Sequence, residues 1–161
     1  MDYNVQIIIA THKKYKMPED KVYFPLHVGA EGKDLDLGYT KDNTGDNISD
    51  LNPSFCELTG LYWAWKNLDA DYIGLAHYRR HFAKTNGKNS WNNILTYEDL
   101  KPYLGRIKVF VPKKRWYVIE TLYSHYEHTH YAVQLDTTRN IIQEKYPDYL
   151  DSYDRVIRHR Y

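Results

Sequence analysis

The sequence predicts an α/β fold, a mostly parallel sheet flanked by helices, on three observations. The run "VQIIIA", Val5 to Ala10, is continuous, apolar and β-branched, the composition of a strand covered on both faces. Strand-like and helix-like segments then alternate along the chain, which favours crossover connections and parallel pairing. Each strand-like segment also ends in cations, "THK", "HYRRH" and "PKKR", where a parallel sheet turns its strand ends towards a ligand.

Polar "THKKYKMPED" follows the first strand, and Tyr23 to Asp50, rich in Gly, Asp and Asn without a sustained period, reads as a long ordered loop. A helix opens next, with Asn52 as cap, Pro53 at its first position and Phe55, Leu58, Tyr62 and Trp65 at helical spacing. Trp63 and Trp65 are two apart and cannot share a face, so one belongs to the core and the other is available for stacking at the surface. "YIGLA" gives a second strand, Tyr72 to Ala76, and "RIKVFVP" a third, Ile107 to Val111. Between them "KTNGKNSWNN" reads as a loop and "TYEDLKPYL" as a short helix capped by Thr96, with Glu98 and Asp99 in its first turn. From about Val118 to Tyr146 the pattern is one or two helices, stopped by Pro147.

The 161 residues suit a single domain, 1–161, large enough for a core without disulfide or metal staples. Lys and Arg number 22 against 21 Asp and Glu, a net charge of +1 that excludes the basic footprint of a general nucleic-acid binder. A lone Cys56 excludes an intrachain disulfide framework and suits the cytoplasm, and the short N-terminal apolar run is neither signal peptide nor membrane span. The 17 tyrosines and four tryptophans suit partly wet surfaces, since each joins an apolar face to a polar tip.

A cationic sheet edge on a nearly neutral protein fits a diphosphate-bearing small molecule, and the arginine fork grips phosphate oxygens. The candidate anion-binding residues are therefore Thr11, His12 and Lys13 after the first strand, His77, Tyr78, Arg79 and Arg80 after the second, and Lys113 after the third. Strand alternation would place His77 and Arg79 on one side and Tyr78 and Arg80 on the other, unless the chain turns there.

"IIIATHK", "GDNISDLNPSFCELTGLYWAWKN", "YIGLAHYRRHF" and "PKKRWY", in this order, resemble the bacterial capsular and exopolysaccharide synthesis family once catalogued as a domain of unknown function, whose characterised members are glycosyltransferases, galactofuranosyltransferases among them. The resemblance implies a Rossmann-like GT-A fold and a nucleotide-sugar donor, with a UDP-linked sugar as the leading candidate. It also implies a glycan or lipid-linked glycan acceptor, with no nucleic-acid partner. Members of that family continue well beyond "RVIRHRY". The chain is accordingly expected to hold the donor-binding part, to lack acceptor-side segments, to transfer weakly and to self-associate through uncovered apolar faces. "KKRWY" is a small patch for peripheral association with the inner face of a membrane.

GT-A enzymes commonly hold a divalent metal through a D-x-D motif. Here "DAD", Asp69 to Asp71, enters a strand instead of leaving it and is rejected, while "DLD", Asp34 to Asp36, cannot be placed. No metal ligand is assigned, and a Mn or Mg cofactor stays open. In the place of a metal carboxylate stand His77 and Arg79 or Arg80, which would neutralise the leaving diphosphate. The candidate base for the acceptor hydroxyl is Glu57, or Asp46; Asp46 and Asn47 could instead hold ribose or sugar hydroxyls, and Glu57 could be an ion-pair support. "HYEHTH" lacks a convincing tetrahedral ligand set, and Cys56 has no partner histidine fixed by the sequence. The leading function is glycosyl transfer from a nucleotide sugar to a growing surface polysaccharide. The alternatives are a non-catalytic sugar-nucleotide or glycan-binding remnant and an unrelated phosphoester-binding protein.

Overall fold

A computed structural model describes residues 2–84 and 90–160, so half of the loop expected at 84–93 lies outside the described residues. The chain forms two compact units, residues 1–110 and 111–161.

The first unit is built on four parallel strands, β1 (Val5–Thr11), β2 (Tyr23–His27), β3 (Thr40–Lys41) and β4 (Tyr72–His77), in the order β3-β2-β1-β4. β1 lies at the centre, with Ile9 opposite Pro25 on one side and Ala76 on the other. Its alternation divides the core. Val5, Ile7 and Ile9 pack with Val22, Tyr78, Tyr97 and Leu100, while Ile8 and Ala10 pack with Leu26, Val28, Trp63 and Ala64. The continuous apolar run of β1 thus reflects burial on both faces.

Helix α1 (Asn52–Phe55) leads into α2 (Leu58–Asn67), which lies over the second of these faces and returns the chain to β4. Gly60 permits that close packing, since a Cβ there would lie 2.8 Å from Val28 Cγ1. Trp63 is the core member of the tryptophan pair, stacked on Phe24 with Nε1–H donating to the Thr44 carbonyl at 2.9 Å. Trp65 points outward under the Lys66 ammonium. A short helix α3 (Tyr97–Leu100) begins at Thr96 as expected, with a reciprocal Thr96–Asp99 capping box.

Three sequence expectations are corrected. β2 lies inside the expected long loop: Pro25 disguises it, but β3 reaches only Leu26 and His27, so β2 is an edge strand where the proline sits. The strand expected at Ile107–Val111 does not form. Its alternation has no ladder partner; Tyr72 Oη donates to the Ile107 carbonyl at 2.9 Å, Val109 and Val111 are exposed, and β4 is the last strand on its side of the sheet. The single helix expected from Asn52 breaks at Cys56, at φ 49° and ψ −127°.

In the second unit, α4 (Leu122–Glu127), α5 (Val133–Lys145) and α6 (Leu150–Arg158) form a small helical cluster. Arg139 and Asp154 join α5 to α6 in a two-pronged ion pair, with Nε to Oδ1 and Nη2 to Oδ2 both at 2.8 Å. The three "HYEHTH" histidines do not meet at one point. His125 and His128 each donate Nδ1–H to Glu120, holding its carboxyl below the usual range, whereas His130 stacks on Tyr126.

Candidate functional site at the carboxyl ends of the strands

The strands deliver Thr11, His27, Lys41 and His77 to one edge. Thr11 is buried and its hydroxyl is spent on the turn that follows, donating to the Lys13 carbonyl at 2.6 Å. That turn leaves His12 and Lys13 exposed.

At the end of β4 the chain turns at once. His77 N–H donates to the Arg80 carbonyl at 3.1 Å and Arg80 N–H to the His77 carbonyl at 2.8 Å, closing a tight turn without Gly, Pro, Asn or Asp. Strand alternation therefore ends at His77, and the expected segregation of His77 and Arg79 from Tyr78 and Arg80 does not hold. Tyr78 is the hub. Its ring, only 2% exposed, meets His12 edge-on at 5.3 Å, Tyr15 at 5.3 Å and His77 at 4.1 Å. Lys13 Nζ and Arg79 Cζ each lie 5.2 Å from its centre. The negative face of a buried ring tolerates cations from both strand exits that would otherwise repel each other. Neither Lys13, Arg79 nor Arg80 has a carboxylate partner among the described residues, so the edge carries uncompensated positive charge. Arg79 and Arg80 open onto a cleft of about 370 Å³.

His77 accepts the Arg79 backbone N–H at Nδ1 (3.2 Å), so in the neutral ring the proton sits on Nε2, which lies 3.7 Å from Glu57 Oε1. Burial pushes the His77 imidazole below the ordinary histidine value; Glu57 pulls it back up, while Arg79 and Arg80 push it down. Glu57 is only half-buried and thus open to a hydroxyl from outside.

Glu57 reaches this position through strained backbone. Cys56, at positive φ, is bracketed by Asn52, whose carbonyl accepts the Cys56 N–H at 2.8 Å and whose Nδ2 donates to the Cys56 carbonyl at 2.7 Å. Glycine relieves such strain at some cost in chain entropy, so Cys56→Gly should stabilise the protein by about 1 kcal/mol net in urea unfolding. An unchanged or lowered midpoint would show that the kink is unstrained.

The remaining candidates lie elsewhere. Asp46 sits at the opposite end of α2, hydrogen-bonded to Tyr62 Oη at 3.0 Å, with its backbone clasped by Asn67; α2 spans ten residues, so Glu57 is about 15 Å away. Asn47 turns its side chain to the Gly45 carbonyl and the Ser49 N–H. Lys113 belongs to the second unit, and because no strand precedes it, it is not a strand-exit cation as expected. Asp71 accepts the Asn4 N–H at 2.7 Å at the entry edge of the sheet, opposite the cationic edge, as the position of "DAD" before the strand implies. The donor set at the β4 exit, two guanidiniums, an ammonium and imidazoles with one carboxylate, does not suit Mn²⁺ or Mg²⁺, which take oxygen ligands. Among the described residues no three His, Cys, Asp or Glu side chains gather as a metal site.

Two buried residues have no counterpart among the sequence candidates. Asp42 accepts from Gly29 N–H, Ala30 N–H, Ser49 Oγ and Thr59 Oγ1, tying the loop after β2 to α2. His27 is fully buried, with neither ring nitrogen partnered among the described residues. Burial pushes His27 below the ordinary value of 6.5, and His81 and His77 are lowered first by the same cause. The unfolded chain thus binds more protons than the folded one below about pH 6.5, so their contribution to stability, complete above that pH, is lost on acidification. Melting temperature should fall from pH 7 to pH 5, and His27→Leu should shrink that fall; equal slopes for both proteins would remove His27 from the acid response.

A solved structure titled as the apo structure of the bifunctional glycosyltransferase WbbM superposes on the chain with a TM-score of 0.85 at 28% sequence identity, over 98% of this chain and 32% of that one. The chain thus spans about a third of that protein's length. With the open all-parallel sheet and flanking helices, this likeness fits a GT-A-like α/β fold. No curated protein matches the chain. Residues 6–161 match the family described as Domain of unknown function (DUF4422), and the chain belongs to that family.

Proposed function

We propose that the chain is the donor-binding part of a glycosyltransferase that moves a sugar, galactofuranose or another hexose, from a nucleotide-sugar donor to a growing capsular or exopolysaccharide glycan. The observation that carries this reading is the convergence on buried Tyr78 of Lys13 and Arg79, which have no carboxylate partner among the described residues, at the ligand-facing sheet edge of a fold shared with a glycosyltransferase. Arg79 and Arg80 bind the donor diphosphate and stabilise the negative charge that grows on it as the bond from the anomeric carbon to phosphate oxygen breaks. The leaving diphosphate takes the electron pair. For transfer with inversion, Glu57 receives the acceptor proton as the hydroxyl oxygen bonds to the anomeric carbon, and His77 Nε2–H orients the carboxylate. No helix among the described residues is long and apolar enough to cross a membrane.

The test is UDP release from a panel of UDP-hexoses, UDP-galactofuranose included, with and without glycan acceptors and with and without EDTA. Acceptor-stimulated release supports the reading. UDP binding without release would reassign the chain as a sugar-nucleotide binding module, and absence of both would point to unrelated phosphoester chemistry.

A further inference from the structure

In the second unit the chain turns sharply from Tyr117 to Glu120, with the Glu120 N–H donating to the Tyr117 carbonyl at 3.1 Å. The corners of such a turn are usually Gly, Asn, Asp or Pro, which suit its dihedral angles and its contact with water. Here they are Val118 and Ile119. Val118 holds φ at 59°, a left-handed value that strains a β-branched residue, at a corner where hairpin turns with this backbone take glycine. Val118 is 63% exposed, and Ile119, at 83%, is the most exposed large apolar side chain among the described residues. In water this turn costs the fold twice, through backbone strain and through uncovered aliphatic surface.

The base of the turn is fixed. Tyr117 N–H donates to the Arg160 carbonyl and Leu122 N–H to the His159 carbonyl, both at 2.8 Å. These bonds set the two basic segments of the unit side by side: Lys113, Lys114 and Arg115 just before the turn, and Arg155, Arg158 and Arg160 in and after the last turn of α6. Of the eight Lys and Arg in residues 111–161, six stand in these two segments, which contain no Asp or Glu, while all seven acidic residues lie within 120–154. The acids that flank the segments are already engaged, Glu120 by His125 and His128, and Asp154 by Arg139 with Arg158 beside it. Charge in a nearly neutral unit is therefore segregated around an apolar tip. Trp116, 62% exposed, stands in sequence between the cations and that tip.

We propose that this face of the second unit docks on an anionic phospholipid bilayer, with Val118 and Ile119 entering the boundary between headgroups and acyl chains, Trp116 at headgroup level and the flanking cations on lipid phosphates. Shallow apolar insertion joined to a basic cluster is a two-signal arrangement for reversible bilayer binding, in which neither part suffices alone. An indole, apolar with one polar N–H, suits the interface between them. A protein partner would need a fitted pocket, and a stable protein interface buries about 800 Å² on each side, far more than a tip of two side chains offers. The motif "KKRWY" showed three of these cations; the structure adds the tip and the cations of α6. The inference stands independently of the donor reading.

The test floats the whole chain with vesicles of phosphatidylcholine alone, or with phosphatidylglycerol as about a third of the lipid. Wild type should partition about tenfold or more in favour of the anionic vesicles, and the preference should shrink as salt rises. Val118→Gly/Ile119→Ser keeps the turn, because glycine fits φ 59°, so it should melt no lower than wild type and yet bind anionic vesicles about tenfold more weakly. Arg115→Glu/Arg160→Glu, at exposed positions, should lose the preference for anionic lipid. Brominated acyl chains should quench the tryptophan fluorescence of wild type, and much less that of Trp116→Phe. Wild-type binding that is absent from both vesicles, equal on both, or unchanged by Val118→Gly/Ile119→Ser would overturn the proposal. So would self-association in solution that this variant abolishes without any vesicle binding, which would assign the tip to contacts between copies of the chain. UDP affinity should be the same in wild type and in the turn variant, so the donor reading and the lipid surface fail or stand separately.

Discussion

Asp42→Ala is expected to lower the unfolding free energy by about 3–5 kcal/mol, a large share of what a domain of this size possesses. The carboxylate is fully buried and accepts from two backbone N–H groups, Gly29 at 2.9 Å and Ala30 at 3.0 Å, and from the hydroxyls of Ser49 and Thr59. Alanine strands the Gly29 and Ala30 N–H groups and the Ser49 hydroxyl where water cannot serve them, while Thr59 Oγ1 keeps the Cys56 carbonyl at 3.1 Å, and each unpaired buried group costs about 1–3 kcal/mol before the site relaxes. Asp42→Asn offers one acceptor oxygen but aims an NH₂ at other donors, so it should recover little. The melting temperature should fall by about 10 °C or more for the alanine variant. Asp46→Ala is the control: its side chain is exposed, contacting Tyr62 Oη and, at 3.8 Å, the Lys66 ammonium, and its loss should cost under about 1 kcal/mol. If the two variants melt together, the buried hub is not what fixes the loops after β2.

Asp42 and Asp46 also mark where sequence reading stops. Both stand in "TKDNTGDNIS", four residues apart, and nothing in that polar text separates the buried aspartate from the exposed one. β1 was legible because burial on both faces demands a continuous apolar run, β4 because its half-buried "YIGLA" is still a short apolar run, and the start of α3 because its Thr96–Asp99 box is a local signal. β2 was hidden because "YFPLH" contains Pro25, and a proline is acceptable only when the neighbouring strand is too short to need its N–H, a long-range fact. The false strand at Ile107–Val111 errs in the other direction: period two describes where side chains point and says nothing about whether a ladder partner exists. The cationic edge was readable as composition. Its geometry was not, since the turn from His77 to Arg80 uses residues without turn preference and is closed by their own backbone bonds.

The largest functional effect is expected from Arg79→Ala/Arg80→Ala, measured as UDP affinity by calorimetry. Charge-assisted bonds to a diphosphate contribute about 1.5–3 kcal/mol each, so either single change should weaken binding about tenfold or more. The double change should approach 100-fold, falling short of the product of the singles where both guanidiniums grip the same phosphate. Folding should be spared, because both side chains are exposed and neither holds a carboxylate among the described residues. Arg79→Lys separates charge from shape: it keeps the cation near Tyr78 but loses the planar fork, so binding between wild type and alanine points to paired contacts with phosphate oxygens. Binding through exposed cations should also weaken as salt rises, and the slope should flatten in the double variant. UDP affinity unchanged in the double variant would mean that the cations gathered around Tyr78 serve only to hold the β1 and β4 exits together, and the donor would have to be sought at another edge of the sheet.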